Sequence, residues 1–318
     1  MKNALNTEKK QPLVSVVIPN YNHGKYIRQR IQSVLNQSYI NIEVIILDDC
    51  SRDNSLTVIS EFASDRRIKH VIVNEVNSGS PFRQWSKGIE MCRGDWIWIA
   101  ESDDWCENSL LEVLVDGIRE DVVLCFCATM AFRDNSIMFI GHGKRLIQYW
   151  NGVDFIKNNL IDEISIFNAS MAIFRRSAYA SVNMDYVNYK FSGDVLFWIG
   201  IASSGNVYQV SRVLNYFRSH DLDVSTQAAK YGWYYSEQVA ILKYLFENKL
   251  CEDWRFYEVA FKRIKQIKTS ETLDENSKIV LIKKFKESLS KSKYIKMLLM
   301  NYLYKFTKKT PSNYNNFS

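Results

Sequence analysis

The sequence has 318 residues, of which 47% are hydrophobic and 24% are charged. This composition supports a sizeable folded core and excludes a mostly disordered chain. The net charge of +6 comes from the stretch 278–309, which holds ten lysines and one acid, so the rest of the chain is slightly acidic. The charge pattern thus argues against a nucleic-acid-binding surface over the whole molecule, and we expect no nucleic-acid partner.

The six cysteines form no Cys-x-x-Cys pair, and the histidines form no cluster at metal-ligand spacing, which argues against a zinc site. Residues 1–11 are polar and lack the apolar centre of a secretion signal. No apolar run approaches the roughly 20 residues that a membrane-spanning helix needs. We therefore expect a cytoplasmic protein with reduced thiols, whose two ends, 1–11 and 311–318, are flexible.

The first two thirds of the chain alternate short β-branched runs with segments of helical period. This alternation predicts an α/β fold with a mostly parallel sheet flanked by helices. The predicted strands are Val14–Ile18, Glu43–Leu47, Lys69–Val73 and Asp95–Ala100. The helices between them are predicted from the apolar stripe of Ile27, Ile31, Val34 and Leu35, and over Asn54–Phe62 and Trp85–Met91.

The pattern changes to helices from about residue 231, where apolar residues recur at helical spacing. These residues are Tyr235, Val239, Leu242 and Phe246. We therefore place a domain boundary near residue 228, between a catalytic domain over 12–228 and a basic helical C-terminal extension over 229–310.

Three of the predicted strands end in polar clusters, which are Asn20–Asn22, Asp48–Asp49 and Glu101–Asp104. Because ligands of open α/β sheets bind at the carboxyl ends of the strands, we expect these clusters to form one site. The sequence has no G-x-G-x-x-G after the first strand and no G-x-x-x-x-G-K-[ST], which counts against NAD enzymes and P-loop NTPases.

Each cluster also has a purely structural interpretation. Asn20–Asn22 has the composition of a turn, and Asp48 or Asp49 would cap a helix or form an Asx-turn. The three acids of Glu101–Asp104 repel one another unless a cation or a hydrogen-bond network neutralises them. They indicate either a Mg²⁺ or Mn²⁺ site or a solvated turn that caps the next helix.

Six segments in a fixed order carry a family resemblance. They are Val14–Asn22, Val34–Ser38, Glu43–Asp53, Asn77–Gly79, Gly94–Ile97 and Glu101–Asp104. Together they resemble family 2 glycosyltransferases over roughly residues 12–225, and the ordered set is far more specific than any one segment. The resemblance implies the GT-A fold, a Rossmann-like sheet that binds a nucleotide sugar.

The resemblance also implies roles for the residues at matching positions. Pro19 and Tyr21 would lie at the donor site, with Tyr21 stacking near the base. Asp49 and Arg83 would hydrogen-bond the uracil edge of a UDP-sugar, and Asp103 would contact the ribose or the metal. Asp104 would be the principal ligand of a Mn²⁺ or Mg²⁺ ion that bridges the diphosphate.

Two positions depart from the family pattern, and two others carry open roles. Glu101 stands where the family usually has Asp, and Trp85 lies near the position of a usual Asn. His220 falls in a loop where some relatives hold the diphosphate or the metal, although most lone histidines are not ligands. Arg218 would serve the phosphates or pair with a surface acid.

Asp194 matches the position of the family's catalytic base, in the segment Phe191–Trp198. An acid ahead of an apolar helical run is also an ordinary N-cap. The aromatic residues of this segment would desolvate the carboxylate and raise its pKa, which improves it as a base. The implied reaction is an in-line displacement with inversion, in which Asp194 takes the acceptor's proton.

The basic stretch 278–309 has two interpretations. It would contact an anionic membrane surface at the inner face of the plasma membrane, or form a solvated helix on the catalytic domain. Membrane contact would suit a saccharide or lipid-linked saccharide acceptor in the synthesis of a bacterial surface polysaccharide. The competing functions are a catalytically silent nucleotide-sugar or carbohydrate-binding domain, and a nucleotidyltransferase.

Overall fold

A computed structural model describes most of the chain in five ranges, which are residues 11–133, 136–141, 145–161, 165–219 and 233–288. Its internal contacts divide the chain into two compact units. The first unit comprises 1–151, 166–182 and 200–219. The second comprises 152–165, 183–199 and 220–318.

The first unit contains a sheet of ten strands among the described residues. The strands are β1 Val14–Asn20, β2 Ile42–Asp48, β3 Ile68–Val73, β4 Trp96–Ile99, β5 Trp105–Cys106, β6 Val122–Arg133, β7 Ser136–Gly141, β8 Ile147–Trp150, β9 Ala172–Arg175 and β10 Asn206–Arg218. Their order is β3-β2-β1-β4-β9-β6-β10-β5, with β7 on β6 and β8 on β10. Strands β1 to β4 are mutually parallel, β6 is parallel to β10, and β9 runs antiparallel between β4 and β6.

The helices of this unit follow the strands as βαβ connections require. They are α1 Ile27–Leu35, α2 Ser55–Ser60, α3 Pro81–Met91 and α4 Leu110–Asp116. Every residue of β1 and β2 is buried, as expected for central strands covered on both faces. Helix α3 lies so close to β1 that a Cβ on Gly88 would fall 2.3 Å from Val17 Cγ1. Glycine at residue 88 therefore permits the close approach.

The second unit is helical. It contains α5 Gly152–Asn159, the first seven residues of α6 Gly193–Ser203, and then α7 Trp233–Glu247, α8 Asp253–Thr269 and α9 Glu275–Ser288. Helices α7, α8 and α9 bury apolar side chains that include Leu242, Val259 and Phe285. No helix in the described part of the chain has both the length and the apolarity to span a membrane.

The sequence predicted the first four strands and three helices within a few residues of their observed ends, and it predicted the helix at residue 235. The α/β class, with a central sheet flanked by helices and with C-terminal helices, is confirmed. The strands β5 to β10 were not predicted. The boundary near residue 228 and most of the two ends predicted to be flexible lie outside the described residues.

Candidate functional site

The polar clusters at the ends of β1, β2 and β4 are in contact in the first unit. Asn20 faces Asp48 in the β1–β2 register, and its side-chain amide donates a hydrogen bond to Asp48 Oδ2 over 2.7 Å. The loop after β1 reaches the third cluster, because His23 Nδ1 lies 2.7 Å from Ser102 Oγ. The predicted convergence at the carboxyl edge of the sheet is therefore observed for these three clusters.

Asp48 serves the backbone at this edge. Its Oδ1 accepts from the backbone N–H of Ser51, and its Oδ2 accepts from the Ser51 hydroxyl. This is the Asx-turn interpretation. The turn includes Cys50 at φ 65°, a left-handed conformation.

Asp49 is 4% exposed and is held by donors from two other segments. Its Oδ1 accepts from Asn74 Nδ2 at 2.6 Å and from Gln84 Nε2 at 2.9 Å. Its Oδ2 accepts from the Ser78 hydroxyl at 2.7 Å, and the Ser78 N–H lies within 3.0 Å of both oxygens. The carboxylate therefore has a fixed direction at the carboxyl end of β2.

Arg83 and Tyr21 flank the loops of this edge. Arg83 is exposed, and its Nη1 donates to the Ser78 carbonyl at 3.2 Å, beside the loop that binds Asp49. Tyr21 is 44% exposed, directly after β1. Pro19 is buried within β1, opposite Leu47 of β2. Tyr21 and Arg83 thus offer an exposed ring and an exposed cation.

The two residues that depart from the family pattern contact each other. The indole N–H of Trp85 donates to Glu101 Oε1 over 2.7 Å. Burial, followed by the negative charges of Asp103 and Asp104, raises the pKa of Glu101 to about 8. The glutamate at residue 101 therefore has its own donor, which a shorter aspartate at this position would not reach in the same way.

Asp104 is only 1% exposed, and both of its oxygens accept hydrogen bonds. Oδ2 accepts from Asn168 Nδ2 and, over 2.7 Å, from Ser170 Oγ, while Oδ1 accepts from the Arg218 N–H at 3.1 Å. Arg30, fully buried in α1, places Nη2 3.7 Å from Oδ2. Three of the roughly four lone-pair positions of this carboxylate are thus occupied, and the role of Asp104 as the principal metal ligand stays a prediction.

Asp103 is half-buried, and Arg218 holds its backbone. The Arg218 guanidinium donates from Nη1 to the Asp103 carbonyl at 2.6 Å and from Nη2 to Gln29 Oε1 at 3.0 Å. It lies over the rings of Tyr26 and Trp105, at 4.4 and 4.6 Å from their centroids. Arg218 therefore contacts the turn that carries the acids rather than pairing with a surface acid.

The sequence analysis missed the groups that surround Asp104. Arg30 lies on the buried face of α1, three residues after Ile27 and one before Ile31. A charged residue within an apolar stripe is a signal for a buried partner. Asn168 and Ser170 lie over 60 residues from Asp104 along the chain, and no motif marks them.

The acidic turn is chemically suited to a divalent cation. Glu101 and Asp103 remain partly exposed, and the pKa of Glu101 is raised first by burial and then by the negative charges of Asp103 and Asp104. Oxygen ligands on one side suit Mg²⁺ or Mn²⁺, which complete their coordination with water and substrate phosphates. Within the described ranges, no three His, Cys, Asp or Glu side chains are placed so that they could together hold a metal ion. His220 lies outside those ranges.

Asp194 belongs to the second unit, whereas Asp49 and Asp104 belong to the first. It is the second residue of α6, and its Oδ1 accepts from the N–H of Val195 at 2.8 Å. Burial raises its pKa to about 7. Phe197 and Trp198 are buried beside each other on the same helix. That Asp194 and the first-unit acids line one cleft stays a prediction.

Comparison with known sequences identifies the relatives of this chain. The sequence model described as Glycosyl transferase family 2 matches residues 15–182, more than half of the chain. Glycosyltransferase GlyG of Streptococcus pneumoniae is 30% identical over 190 residues, which cover 58% of this chain and 60% of GlyG. The putative teichuronic acid biosynthesis glycosyltransferase TuaG of Bacillus subtilis is 26% identical, over 80% of this chain and 98% of TuaG.

Solved structures support the same fold. The S. aureus TarS fragment 1-349 in complex with UDP-GlcNAc has a TM-score of 0.56 and 18% identity, covering 87% of this chain and 72% of the fragment. The mannosyltransferase PcManGT of Pyrobaculum calidifontis, in complex with GDP-Man and Mn²⁺, has a TM-score of 0.52 and 14% identity, covering 95% and 89%. At these identities the similarity establishes the fold.

Proposed function

The chain belongs to glycosyl transferase family 2, and we propose that it moves a sugar from a nucleotide diphosphate to a hydroxyl, with inversion. The donor is a UDP-sugar, and the acceptor is a saccharide or a lipid-linked saccharide. The observation that carries this proposal is the fixed carboxylate of Asp49, which shares one sheet edge with Tyr21, Arg83 and the acidic turn.

Asp49 gives the donor site its preference for uracil in this proposal. A carboxylate held by Asn74, Ser78 and Gln84 does not rotate when a ligand binds, so little side-chain entropy is lost. Arg83 lies beside the same loop and is exposed. The two residues offer an acceptor and a donor to the edge of a pyrimidine base, and Tyr21 offers a ring for stacking.

Asp104 is proposed to be the principal ligand of a Mn²⁺ or Mg²⁺ ion, and Asp103 is proposed to contact the ribose or the same ion, with Glu101 beside them. The ion, when bound, neutralises the charge that develops on the departing diphosphate. Neighbouring residues hold the turn Glu101–Asp104 in place before any ion binds. Arg218 holds the carbonyl of Asp103, and the hydrogen bonds around Asp104 prevent the turn from spreading as its acids repel one another.

Asp194 is proposed to accept the proton of the acceptor hydroxyl. The acceptor oxygen then forms the new glycosidic bond while the bond from the sugar to the diphosphate breaks, and the configuration at that carbon inverts. Two features support this role. Burial gives Asp194 a pKa of about 7, near that of an efficient base, and its first oxygen is oriented by the Val195 N–H.

The proposed setting is the synthesis of a bacterial surface polysaccharide in the cytoplasm. Relatives named for teichuronic acid biosynthesis and for chondroitin synthesis support a polysaccharide product. The stretch 278–309 is proposed to contact the anionic inner face of the plasma membrane, where a lipid-linked acceptor would be found. Its described part lies in α9, which presents Lys283, Lys284 and Lys286.

The test is a screen of UDP-, GDP- and dTDP-sugars with the purified chain. Thermal stabilisation reports binding, and release of the nucleoside diphosphate with an added saccharide acceptor reports transfer, each with Mn²⁺, Mg²⁺ or EDTA. We expect a UDP-sugar to stabilise the protein and release to require a divalent ion. Stabilisation by a GDP-sugar alone would refute the assignment of Asp49 and Arg83, and binding without release would indicate a silent binding domain.

A further inference from the structure

The loop directly before Asp194 is held by a single carboxylate of the second unit. Three successive backbone N–H groups donate to Glu237 of α7. The N–H of Lys190 donates to Oε1 at 2.7 Å, and those of Phe191 and Ser192 donate to Oε2 at 3.0 and 2.7 Å. Both oxygens of Glu237 therefore bind backbone, and the loop is fixed up to the residue before α6.

The first turn of α7 makes two more contacts with the same loop. Lys190 Nζ lies 4.6 Å from the centroid of the Trp233 ring, and the ring of Phe191 meets that of Tyr234 edge to face at 6.0 Å. Residues 233, 234 and 237 lie within about one helical turn, so one helix face carries all of these contacts. The loop over residues 190–192 therefore contacts α7 through two aromatic rings as well as through the carboxylate of Glu237.

The chemistry of this contact is specific to a carboxylate. Three adjacent N–H groups before a helix form a concave set of positive dipoles, which favours a negative charge. Hydrogen bonds to an ionised acceptor are about twice as strong as neutral ones. A glutamine at residue 237 would present its own NH₂ to one of the donors, and would lose both the charge and at least one hydrogen bond.

We propose that Glu237 is a positioning residue for Asp194, and that the C-terminal helices are thereby part of the acceptor-side machinery. This inference rests on the proposed role of Asp194 as the base. Glu237 fixes the backbone that enters α6, and the Val195 N–H fixes Oδ1 of Asp194.

The experiment compares E237Q with E247Q in the full chain. Glu247 is an exposed residue at the other end of α7 and serves as the matched control. We expect E237Q to lower kcat about 10- to 100-fold, as small displacements of a reacting group do. The KM for the donor and the melting temperature should stay close to those of E247Q, and E237D should recover part of kcat by restoring the charge.

Hydrogen exchange of the amides of residues 190–192 provides a readout that kinetics alone does not. These amides should exchange slowly in the wild type and in E247Q, and faster in E237Q. Wild-type kcat in E237Q, or unchanged exchange, would overturn the inference. A fall in kcat that is accompanied by a lower melting temperature and a weaker donor affinity than in E247Q would also overturn it, because that pattern indicates general destabilisation.

The same set of variants separates this inference from the proposed function. If the wild-type chain transfers no sugar from any donor, or if D194N keeps full activity, the proposed function or its base is wrong. If the wild type is active and D194N is not, but E237Q retains full kcat, only the role of Glu237 is wrong. If E237Q does not fold, the kcat of E237D, a less disruptive change, tests the role of Glu237 in its place.

Discussion

The acids of the first unit and Asp194 of the second are held in different ways. Asp49 and Asp104 are 4% and 1% exposed, and each accepts at least three hydrogen bonds on the carboxylate itself. The side chain of Asp194 accepts from the neighbouring Val195 N–H, and its position is set through the backbone before it.

The difference matches two kinds of chemical task. A carboxylate that recognises a ligand or supports a metal turn benefits from a fixed direction, and hydrogen bonds to its oxygens supply that direction. A carboxylate that accepts a proton needs an oxygen without a competing donor, together with a raised pKa. The environments of the first-unit acids thus support their proposed role in binding, and that of Asp194 supports its proposed role as the base.

The largest effect is expected for D194N, which keeps the size of the side chain and removes the proton acceptor. We expect the transfer rate to fall about 10²- to 10⁴-fold, while donor affinity changes little. D185N, an exposed acid of the same unit, is the control. Steady-state kinetics and calorimetric donor titration measure both. A loss of donor affinity with unchanged rate would place Asp194 on the donor side instead.

D104A tests whether the hydrogen bonds that hold Asp104 also stabilise the fold. It leaves Arg30, fully buried, without its counter-charge, and removes the acceptor of Asn168 and Ser170. We expect the free energy of unfolding to fall by about 3–5 kcal/mol. Denaturant titration measures this change, and E120A on the surface should change it by less than about 0.5 kcal/mol. Equal stability of the two variants would contradict a supporting role for Asp104.

The pH dependence of transfer sharpens the assignment of the base. Burial raises the pKa of Asp194 to about 7, so the carboxylate is protonated and inactive below that pH. We expect kcat to fall about tenfold for each pH unit below about 7. Because the charge of Glu237 contributes to the raised pKa, E237Q should shift this limb of the profile to lower pH. A profile that stays flat down to about pH 5 would be inconsistent with Asp194 as the base.

D49N tests the proposed role of Asp49 in donor binding. It removes the charge that accepts from Asn74 and Gln84 and presents an amide to Ser78. We expect affinity for a UDP-sugar to fall about tenfold, corresponding to one charged hydrogen bond, with kcat nearly unchanged. Calorimetry on D49N and on the exposed control E120Q measures the change. A fall in kcat without a fall in affinity would assign Asp49 to chemistry.

The smallest effect is expected for Trp85 and Glu101, the two residues that depart from the family pattern. A double-mutant cycle of W85F and E101A should give a coupling energy of about 1 kcal/mol, as for a single hydrogen bond. Thermal unfolding of the four proteins measures this energy. The same cycle with W85F and D103A is the control, since Trp85 donates to Glu101. A coupling energy near zero would mean that the two departures are independent.

The success and failure of the sequence predictions follow from the range of the interactions. Strands β1 to β4 and helices α1 to α3 were predicted because local periodicity and burial agree there. Strands β6 and β10 pair with each other across about 80 residues, and β9 enters between β4 and β6 against the direction of both. Pairing of this kind is decided by packing that no local pattern encodes.

The residue pattern was enough to predict that the polar ends of β1, β2 and β4 meet, because parallel strands place their carboxyl ends at one edge of a sheet. The way in which each acid is held depends instead on the folded structure. Asp103 and Asp104 are neighbours in the chain, yet Asp104 is buried by partners 64 to 114 residues away. Likewise, Glu237 reaches the loop before Asp194 from 45 residues further along the chain. Hydrogen-bond partners at such separations are selected by the packing of whole elements, and residue type and spacing do not specify that packing.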